Sequence, residues 1–297
     1  MPARFESFIN SVEGNEGERC HYSVRMDTYG CGCQHNCGYC YARSLLAFRG
    51  LWNPQLPATA DIRKIRNAIV KKLRPGDVVR LGGMTDCFQP IERGRKLTYR
   101  TIEMLNRRRV HYLIVTKSAL VATEPYLEIL DPELAHIQVS ITTTDATLSK
   151  RIEPGAPVPD ERFAAAERLQ AGGFDVSLRL SPYIPEFVDM GTLDVDMINA
   201  VKCDKMLIEF LRVSHWIERW LSPVVDLSAY SLSFHGYKHL PFEKKRDAVR
   251  AFEGHHEITV CDFEEKYLDY WKKEYNPNPD DCCNLNITKH GNCQIEH

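Results

Sequence analysis

The strongest constraint on the fold of this chain is an alternation of strand-like and helix-like segments from residue 21 to about residue 230. Strands that alternate with helices form parallel sheets. Right-handed crossovers curl six such units into an open barrel or, less often, lay them in a flat doubly wound sheet. We therefore expect an α/β fold, an open, partial TIM-type barrel of about six β/α units. Short apolar, β-rich runs predict its strands at 23–29, 78–82, 112–115, 137–141, 176–180 and 206–210.

The segments between these strands have helical periodicity. Residues 61–73, DIRKIRNAIVKKL, place Ile62, Ile65 and Ile69 on one face and lysines and arginines on the other, as in a helix that covers a sheet. Residues 95–108 and 160–173 predict similar helices. We expect three parts: an N-terminal arm (1–20), the barrel (21–230) and a cysteine-rich C-terminal extension (231–297) that adds a helix and one more strand.

Composition limits the class of protein. The 297 residues are 43% hydrophobic and 26% charged, as in a soluble globular protein, and no run is long enough to span a membrane. The polar N-terminus has no apolar stretch typical of a secretory signal, so we expect a cytoplasmic protein. Eleven cysteines in such a chain favour metal or redox chemistry over disulfides. The net charge of −2 gives no general attraction to nucleic acid, so such a contact requires a local basic surface.

Four of the cysteines lie within ten positions, in the stretch YGCGCQHNCGYCYAR (29–43). Cys33, Cys37 and Cys40 form a C-x3-C-x2-C pattern. Its first gap is too long for a paired zinc knuckle, and a thioredoxin-like redox pair would leave one thiol unused. Three thiolates from one short loop suit three irons of a 4Fe–4S cube, which normally takes four protein ligands, so that the fourth iron is open to a small molecule. The stretch begins where the first predicted strand ends, at the edge where parallel α/β folds carry their chemistry.

This pattern, with Tyr39 directly before the last cysteine, resembles the hallmark of the radical S-adenosylmethionine (radical SAM) enzymes. The resemblance implies two cofactors, a 4Fe–4S cluster and SAM, whose amino and carboxylate groups bind the open iron. An electron from a reductant such as flavodoxin or ferredoxin then splits the sulfonium into methionine and a 5′-deoxyadenosyl radical, which abstracts a hydrogen atom from the substrate. The protein excludes water and aims the radical.

Five further sequence blocks narrow the resemblance: GC-x-H-x-C-x-YCYAR from Gly32, TDCFQPIER from Thr85, VTKSAL from Val115, VSITT from Val139 and RIEPGAPVPDERF from Arg151. Together they resemble the spore photoproduct lyase-like radical SAM proteins, often called DNA repair photolyases. These blocks stretch from about residue 28 to 185, which covers the barrel but neither the arm nor the extension. The resemblance implies DNA as the partner and a thymine-type pyrimidine as the group that is repaired, modified or isomerised.

The resemblance also implies roles for residues at the strand ends. Thr85 and Asp86 are expected beside the methionine part of SAM, and Lys117, Ser140 and Arg179 are candidates to bind its carboxylate or ribose. A carboxylate on a cluster requires a nearby cation and hydroxyl donors, which these residue types supply. Alternatively, Lys117 and Arg179 pair with acidic neighbours at the barrel rim. The residues predicted to bind the cofactors are Tyr39, Thr85, Asp86, Lys117, Ser140 and Arg179.

The source of the returning hydrogen atom sets this chain apart from the lyase, in which a cysteine before the hydroxyl–Asp pair donates it. Met84 takes that place here and has no S–H group. Cys87 is the nearest thiol and our candidate for a catalytic role. The departure favours a rearrangement or modification, in which the hydrogen returns from 5′-deoxyadenosine, over repair of the spore lesion.

Four cysteines lie in the extension, where many radical SAM enzymes carry an auxiliary cluster. We therefore hypothesise a second 4Fe–4S cluster there. Adjacent cysteines seldom both bind one metal, so three ligands, or a zinc ion with His290 or His297, are the alternative. The candidate ligands are Cys261, Cys282, Cys283 and Cys293. Cys31, Cys20 and Cys203 are predicted to be packed thiols.

Two local features bear on nucleic-acid binding. Arg107, Arg108 and Arg109 form a basic triplet, and YLDYWKKEY (267–275) interleaves aromatic residues with lysines, as stacking platforms do. A solvated helix end and an amphipathic docking helix explain these features more simply. These features therefore do not decide the substrate class. The alternative to a nucleic-acid enzyme is an enzyme that acts on a peptide or small metabolite, which the extension holds.

Overall fold

A computed structural model describes residues 5, 8–12, 20–187, 193–262, 264–276, 278 and 281–287. The strands in this part of the chain are β1 (Ile9–Ser11), β2 (Val24–Met26), β3 (Tyr29–Gly30), β4 (Ala58–Thr59), β5 (Val78–Leu81), β6 (His111–Thr116), β7 (Ala135–Ile141), β8 (Asp175–Tyr183), β9 (Lys205–Phe210), β10 (Leu232–Phe234), β11 (Tyr237–His239) and β12 (Glu257–Cys261). The helices are α1 (Tyr41–Phe48), α2 (Ile62–Lys72), α3 (Glu92–Arg95), α4 (Leu97–Arg108), α5 (Tyr126–Ile129), α6 (Ala146–Ile152), α7 (Pro159–Ala171), α8 (Val195–Asn199), α9 (His215–Leu221), α10 (Phe242–Arg250) and α11 (Glu265–Glu274).

One eight-stranded sheet organises the described residues, in the order β1-β2-β5-β6-β7-β8-β9-β12. Only β1 is antiparallel to its neighbour, and every other pair is parallel. Among the described strands, β1 and β12 at the two ends of the sheet do not pair with each other, so the barrel is open, which confirms the predicted fold class. The six predicted strands correspond to β2, β5, β6, β7, β8 and β9, and β12 adds a seventh parallel strand beside β9. The divisions at residues 20 and 230 stay predictions.

Helix α2 illustrates how the sequence covers one face of the sheet. The side chain of Asp61 accepts a hydrogen bond from the Arg63 N–H (2.7 Å), which caps the helix N-terminus. Ile65, Ala68 and Ile69 are buried, as their helical spacing predicts, while the lysines end the helix where they complement its dipole.

The two faces of the sheet carry separate hydrophobic clusters. In β6, Tyr112 and Ile114 belong to the large core under the helices, whereas Leu113 between them belongs to a smaller cluster on the opposite face. This smaller cluster includes Cys283 and Leu285 from the C-terminal residues 281–287, which we call the tail segment. The tail segment therefore packs on the face of the sheet that the helices leave free.

A buried lysine ties the extension together. Lys245 on α10 is 1% exposed, and its Nζ lies 2.9 Å from Asp262 and 2.5 Å from Glu264, just after β12. Two carboxylates around one ammonium group offset the cost of burying its charge. The ion cluster thus joins α10 to the end of β12, both of which belong to the extension.

Both sequence features that suggested nucleic-acid binding have structural roles. Trp271 of α11 is fully buried and donates a hydrogen bond to Asp262 (3.0 Å), so the 267–275 stretch is a docking helix. In the arginine triplet, Arg109 contacts Asp131 (2.9 Å) and Glu133 (2.6 Å). Within the described residues, no helix is both long and apolar enough to cross a bilayer.

Candidate functional site

The three motif cysteines lie on the loop between β3 and α1, which we call the cysteine loop (residues 31–40). Cys33 and Cys37 are buried, and Cys40 precedes the first residue of α1. Two tight turns shape the loop: the Asn36 N–H donates to the Cys33 carbonyl (3.0 Å) and the Cys40 N–H to the Cys37 carbonyl (3.3 Å). All three cysteines are free thiols. One loop therefore presents three unpaired sulfurs at the carboxyl end of the sheet.

Backbone contacts clamp the cysteine loop against the segment that follows α6. The Gly155 N–H donates to the His35 carbonyl (3.1 Å), and the Gly38 N–H donates to the Ile152 carbonyl (2.8 Å). A Cβ atom on Gly155 would lie 1.8 Å from the Gln34 carbonyl oxygen, so only glycine allows this approach. The glycine in the RIEPGAPVPDERF block thus has a packing role in positioning the loop.

Asp86 links the cysteine loop to the end of β6. It accepts hydrogen bonds from the N–H groups of Phe88 and Lys117 (both 2.8 Å) and from the Thr116 hydroxyl (2.8 Å), and it lies 3.1 Å from His35 Nε2. Burial raises its pKa, but the His35 imidazole and the N–H donors outweigh burial, so the pKa is lowered and the carboxylate stays charged. The structure therefore brings Asp86 to the site as a positioning residue, and its predicted contact with SAM stays a prediction.

Tyr39 and Lys117 also lie at the cysteine loop. The Tyr39 hydroxyl donates to the Glu153 carboxylate, and the Lys117 ammonium lies 5.4 Å from the centroid of the Tyr39 ring. Glu153 pairs with Arg162 Nη2 at 2.5 Å, and both side chains are at most 1% exposed. Burial raises the pKa of Glu153, but Arg162 and Lys117 lower it to about 2. We did not predict the Glu153–Arg162 pair, although both residues fall within a block quoted above.

The donor set fits an iron–sulfur cluster. Burial raises the pKa of Cys33 to about 12 and also raises the pKa values of Cys37 and Cys40, for which the Lys117 cation limits the rise. Metal ligation requires thiolates, so loading the site releases protons. Across the residues that the structure describes, no three His, Cys, Asp or Glu side chains are grouped as ligands of a single ion. A 4Fe–4S cube takes one thiolate on each of three irons, an arrangement that does not require the sulfurs to meet at one metal.

Thr85 follows a turn held by a buried carboxylate. Its hydroxyl donates to the Tyr29 carbonyl (2.7 Å), and Asp27 accepts from the N–H groups of Gly83, Met84 and Thr85 at 2.8–3.1 Å. The structure thus fixes the turn after β5 next to the strand that precedes the cysteine loop. Sequence analysis missed Asp27, which lies outside the quoted blocks.

The remaining predicted residues lie on β7, on β8 and after β5. Arg179 on β8 donates a hydrogen bond to Gln138 (2.5 Å) and forms an ion pair with Glu209 (2.5 Å). This agrees with the alternative prediction, in which Arg179 pairs with an acidic neighbour. Ser140 is buried on β7, directly across from Arg179. Cys87 has no exposed surface, and burial raises its pKa; its predicted catalytic role stays a prediction.

Three of the extension cysteines lie together on the face that the tail segment covers. Cys261, at the end of β12, and Cys282 pack against the hydrophobic cluster that contains Cys283, and the neighbouring thiols of Cys261 and Cys283 raise the pKa of Cys282. A hydrogen bond from Cys282, together with Arg179 and Arg80, lowers the pKa of Cys283 to about 7 against the effect of burial. Cys293, His290 and His297 lie outside the described residues.

Comparison with known families identifies the core of the chain. The model of the Radical SAM superfamily matches residues 28–191, more than half of the sequence and the region that carries the cysteine loop. The chain belongs to the Radical SAM superfamily. The pattern Cys33, Cys37, Cys40 and the sheet strands β5 to β8 lie within the matched residues, whereas β1, β2, β9 and β12 of the same sheet lie outside them.

Sequence relatives extend over about half of the chain. An uncharacterized protein of Methanocaldococcus jannaschii is 29% identical over 164 residues, which cover 54% of this chain and 60% of that protein. An uncharacterized protein of Mycobacterium tuberculosis is 27% identical over 169 residues, covering 54% of this chain and 49% of that protein. The chain thus matches only about half the length of these curated relatives.

Solved structures support the fold of the radical SAM domain. Spore photoproduct lyase complexed with dinucleoside spore photoproduct has a TM-score of 0.56 at 15% identity, over 77% of this chain and 73% of that chain. Methylornithine synthase has a TM-score of 0.52 at 12% identity, over 92% and 77% of the two chains. At these identities the likeness is one of fold.

Proposed function

We propose that this radical SAM enzyme cleaves SAM reductively and abstracts hydrogen from a pyrimidine base of a nucleic acid, most simply a thymine-type base in DNA. When bound, the 4Fe–4S cluster and SAM supply the 5′-deoxyadenosyl radical, and a flavodoxin- or ferredoxin-type protein supplies the electron. The observation that carries the proposal is the cysteine loop, with three free thiols held by Asp86 and Gly155 inside the family-matched region. Cys33, Cys37 and Cys40 would hold the cluster.

The protein groups around the loop have distinct tasks in this proposal. Lys117 provides a cation near the cysteines and Tyr39, which suits the carboxylate of SAM. Thr85 would stand by the methionine part, and Ser140 and Arg179 by the ribose or the substrate. The buried surroundings exclude water from the radical.

The choice of substrate follows from the fold likeness and from two residues near β5. Spore photoproduct lyase, which shares the fold, is complexed with dinucleoside spore photoproduct in one solved structure. Met84 has no S–H group, and Cys87 is buried in the core. The position that holds the hydrogen-donating cysteine in the lyase therefore carries no thiol in this chain, so we favour a rearrangement or modification of the base over repair of the spore lesion.

The cluster assignment is tested by Cys37→Ala after anaerobic reconstitution. We expect loss of the brown cluster absorbance and of reductive SAM cleavage, because one iron loses its ligand. Cys31→Ala, in the same loop but outside the pattern, is the matched control and should keep both. SAM cleavage by the Cys37 variant at the wild-type rate would refute the assignment.

The substrate class is tested by incubating reduced enzyme with oligonucleotides that carry deuterium on candidate thymine positions. Deuterium in 5′-deoxyadenosine supports a nucleic-acid substrate. The enzyme could instead cleave SAM without deuterium transfer from any oligonucleotide and without salt-dependent binding to the oligonucleotides. That result would favour the alternative substrate, a peptide or small metabolite.

We also propose an auxiliary cluster in the extension. Its support is the proximity of Cys261 on β12 to Cys282 and Cys283 of the tail segment. Iron and sulfide counting decides it: about eight irons per chain support two clusters, and about four refute the second. The triple variant with alanine at these three positions should then lose about half of the iron and keep the cluster of the cysteine loop.

A further inference from the structure

A row of aromatic side chains lies beside the cysteine loop, on α1 and α9. Phe48 is 76% exposed, and its ring centroid is 6.5 Å from that of Trp216. The Trp216 ring is 6.2 Å from Trp220, and the Arg43 guanidinium lies 4.1 Å from the centroid of Trp220. We call these four side chains the aromatic ledge. They form one continuous surface built from two helices far apart in the sequence.

The aromatic ledge adjoins the proposed cluster site. Helix α1 begins at Tyr41, directly after the ligand candidate Cys40. At the other helix, Leu221 of α9 is the side chain nearest to Gly38 of the cysteine loop, 3.2 Å from where a Cβ would stand. A molecule on the aromatic ledge would therefore rest next to the loop that carries the three thiols.

Exposure and charge indicate the kind of molecule that fits. Of seven large exposed hydrophobic residues in the described part of the chain, five lie between residues 41 and 56, a concentration typical of an interaction surface. Residues 41–60 include Arg43 and Arg49 but no Asp or Glu. On α9, Glu218 is paired with Lys238 at 2.6 Å. The aromatic rings offer flat π faces, and residues 41–60 add positive charge without any acidic residue. This combination complements a polyanion that carries flat bases.

We infer that the aromatic ledge binds a single strand of nucleic acid, with bases stacked on Phe48 and Trp216 and a phosphate on Arg49. This inference rests on the proposed nucleic-acid function and assigns the surface that delivers the base to the cysteine loop. Base stacking on an aromatic side chain tolerates any sequence, since every base has a π face. Binding is therefore expected to depend weakly on sequence and clearly on salt.

The test measures fluorescence anisotropy of a labelled oligothymidylate with the reconstituted enzyme and its variants. Phe48→Ala and Trp216→Ala should each weaken binding by between about fivefold and about a hundredfold, the range for loss of one stacking platform. Arg49→Gln should reduce the slope of log affinity against log salt by about 0.7. Val70→Ala on α2, another exposed apolar residue (58%), is the control and should bind like the wild type.

The outcomes separate this inference from the proposed function. If the wild type binds the strand in a salt-dependent way but Phe48→Ala and Trp216→Ala bind as tightly as Val70→Ala, the aromatic ledge is not the binding surface, while the nucleic-acid proposal stands. If the wild type binds neither single- nor double-stranded oligonucleotides yet cleaves SAM, the proposed substrate class fails as well. If the two variants keep strand binding and lose SAM cleavage with flavodoxin but not with dithionite, the surface docks the reductant and the inference is wrong.

Discussion

Replacing Glu153 by glutamine tests whether a buried ion pair holds the cysteine loop. The Glu153 carboxylate is fully buried, accepts the Tyr39 hydroxyl and pairs with Arg162 at 2.5 Å. The Glu153→Gln variant keeps the size of the side chain but leaves the Arg162 guanidinium buried without a charged partner. Removal of one partner from a buried pair costs about 3–5 kcal/mol.

The pKa of Glu153 gives a second value, of similar size, for the contribution of its charge to the free energy of unfolding. A fall from 4.5 to about 2 corresponds, at about 1.36 kcal/mol per pKa unit, to about 3 kcal/mol of stability. Because the pKa in the folded state lies below the unfolded value, this contribution is fully present above pH 4.5. It is lost as the pH falls toward 2. The deficit of the Glu153→Gln variant should therefore shrink over the same range.

Anaerobic unfolding in guanidinium chloride measures both effects, at pH 7 and again near pH 3. The control is Glu103→Gln, which removes an exposed pair with Arg107 (3.8 Å) and should change stability by at most about 0.5 kcal/mol. The double variant Glu153→Gln/Arg162→Met should recover most of the loss, because no buried charge is left. A loss below about 1 kcal/mol at pH 7, or one that is the same at pH 3, would refute this reasoning.

Two further substitutions test contacts that position the site and the extension. Gly155→Ala forces a methyl group against the Gln34 carbonyl, so we expect the free energy of unfolding to fall by about 1–3 kcal/mol and the reconstituted protein to retain less iron. The control is Gly94→Ala, which has open space around it and should retain iron normally. Equal iron content in the two variants would contradict the packing argument. Lys245→Met leaves two buried carboxylates without their cation, so we expect the free energy of unfolding, measured with denaturant, to fall by about 3–5 kcal/mol. The control is Lys244→Met, whose ion pair is exposed and whose loss should lower it by at most about 1 kcal/mol. Similar midpoints for the two lysine variants would show that the ion cluster does not hold the extension.

The sequence predicts the sheet well because each strand is recognised from the apolar residues within its own segment, and the order of strands and helices follows directly from the chain. Runs such as 137–141 and 206–210 show their strand character without any partner, and alternation with helices then implies parallel pairing. The cysteine pattern likewise lies within one loop. Its three thiols could be found from spacing alone.

Contacts between distant segments escape this reasoning. Glu153 and Arg162 are quoted in one block, but only the fold shows that both are buried and that they hold Tyr39. Phe48 and Trp216 have ordinary helical surroundings, and their proximity follows from the packing of α1 on α9. The same holds for Cys87, since position along the chain does not reveal whether a side chain after β5 points into the core.

The packing of the tail segment against Leu113 and Leu207 has a consequence for biosynthesis. Residues 281–287 leave the ribosome after every strand that they cover, so the sheet face that carries Leu113 and Leu207 stays exposed to water while the cysteine loop is already outside the exit tunnel. Iron insertion during translation would thus meet an incompletely closed protein. The last residues of the described chain are in a position to seal it afterwards.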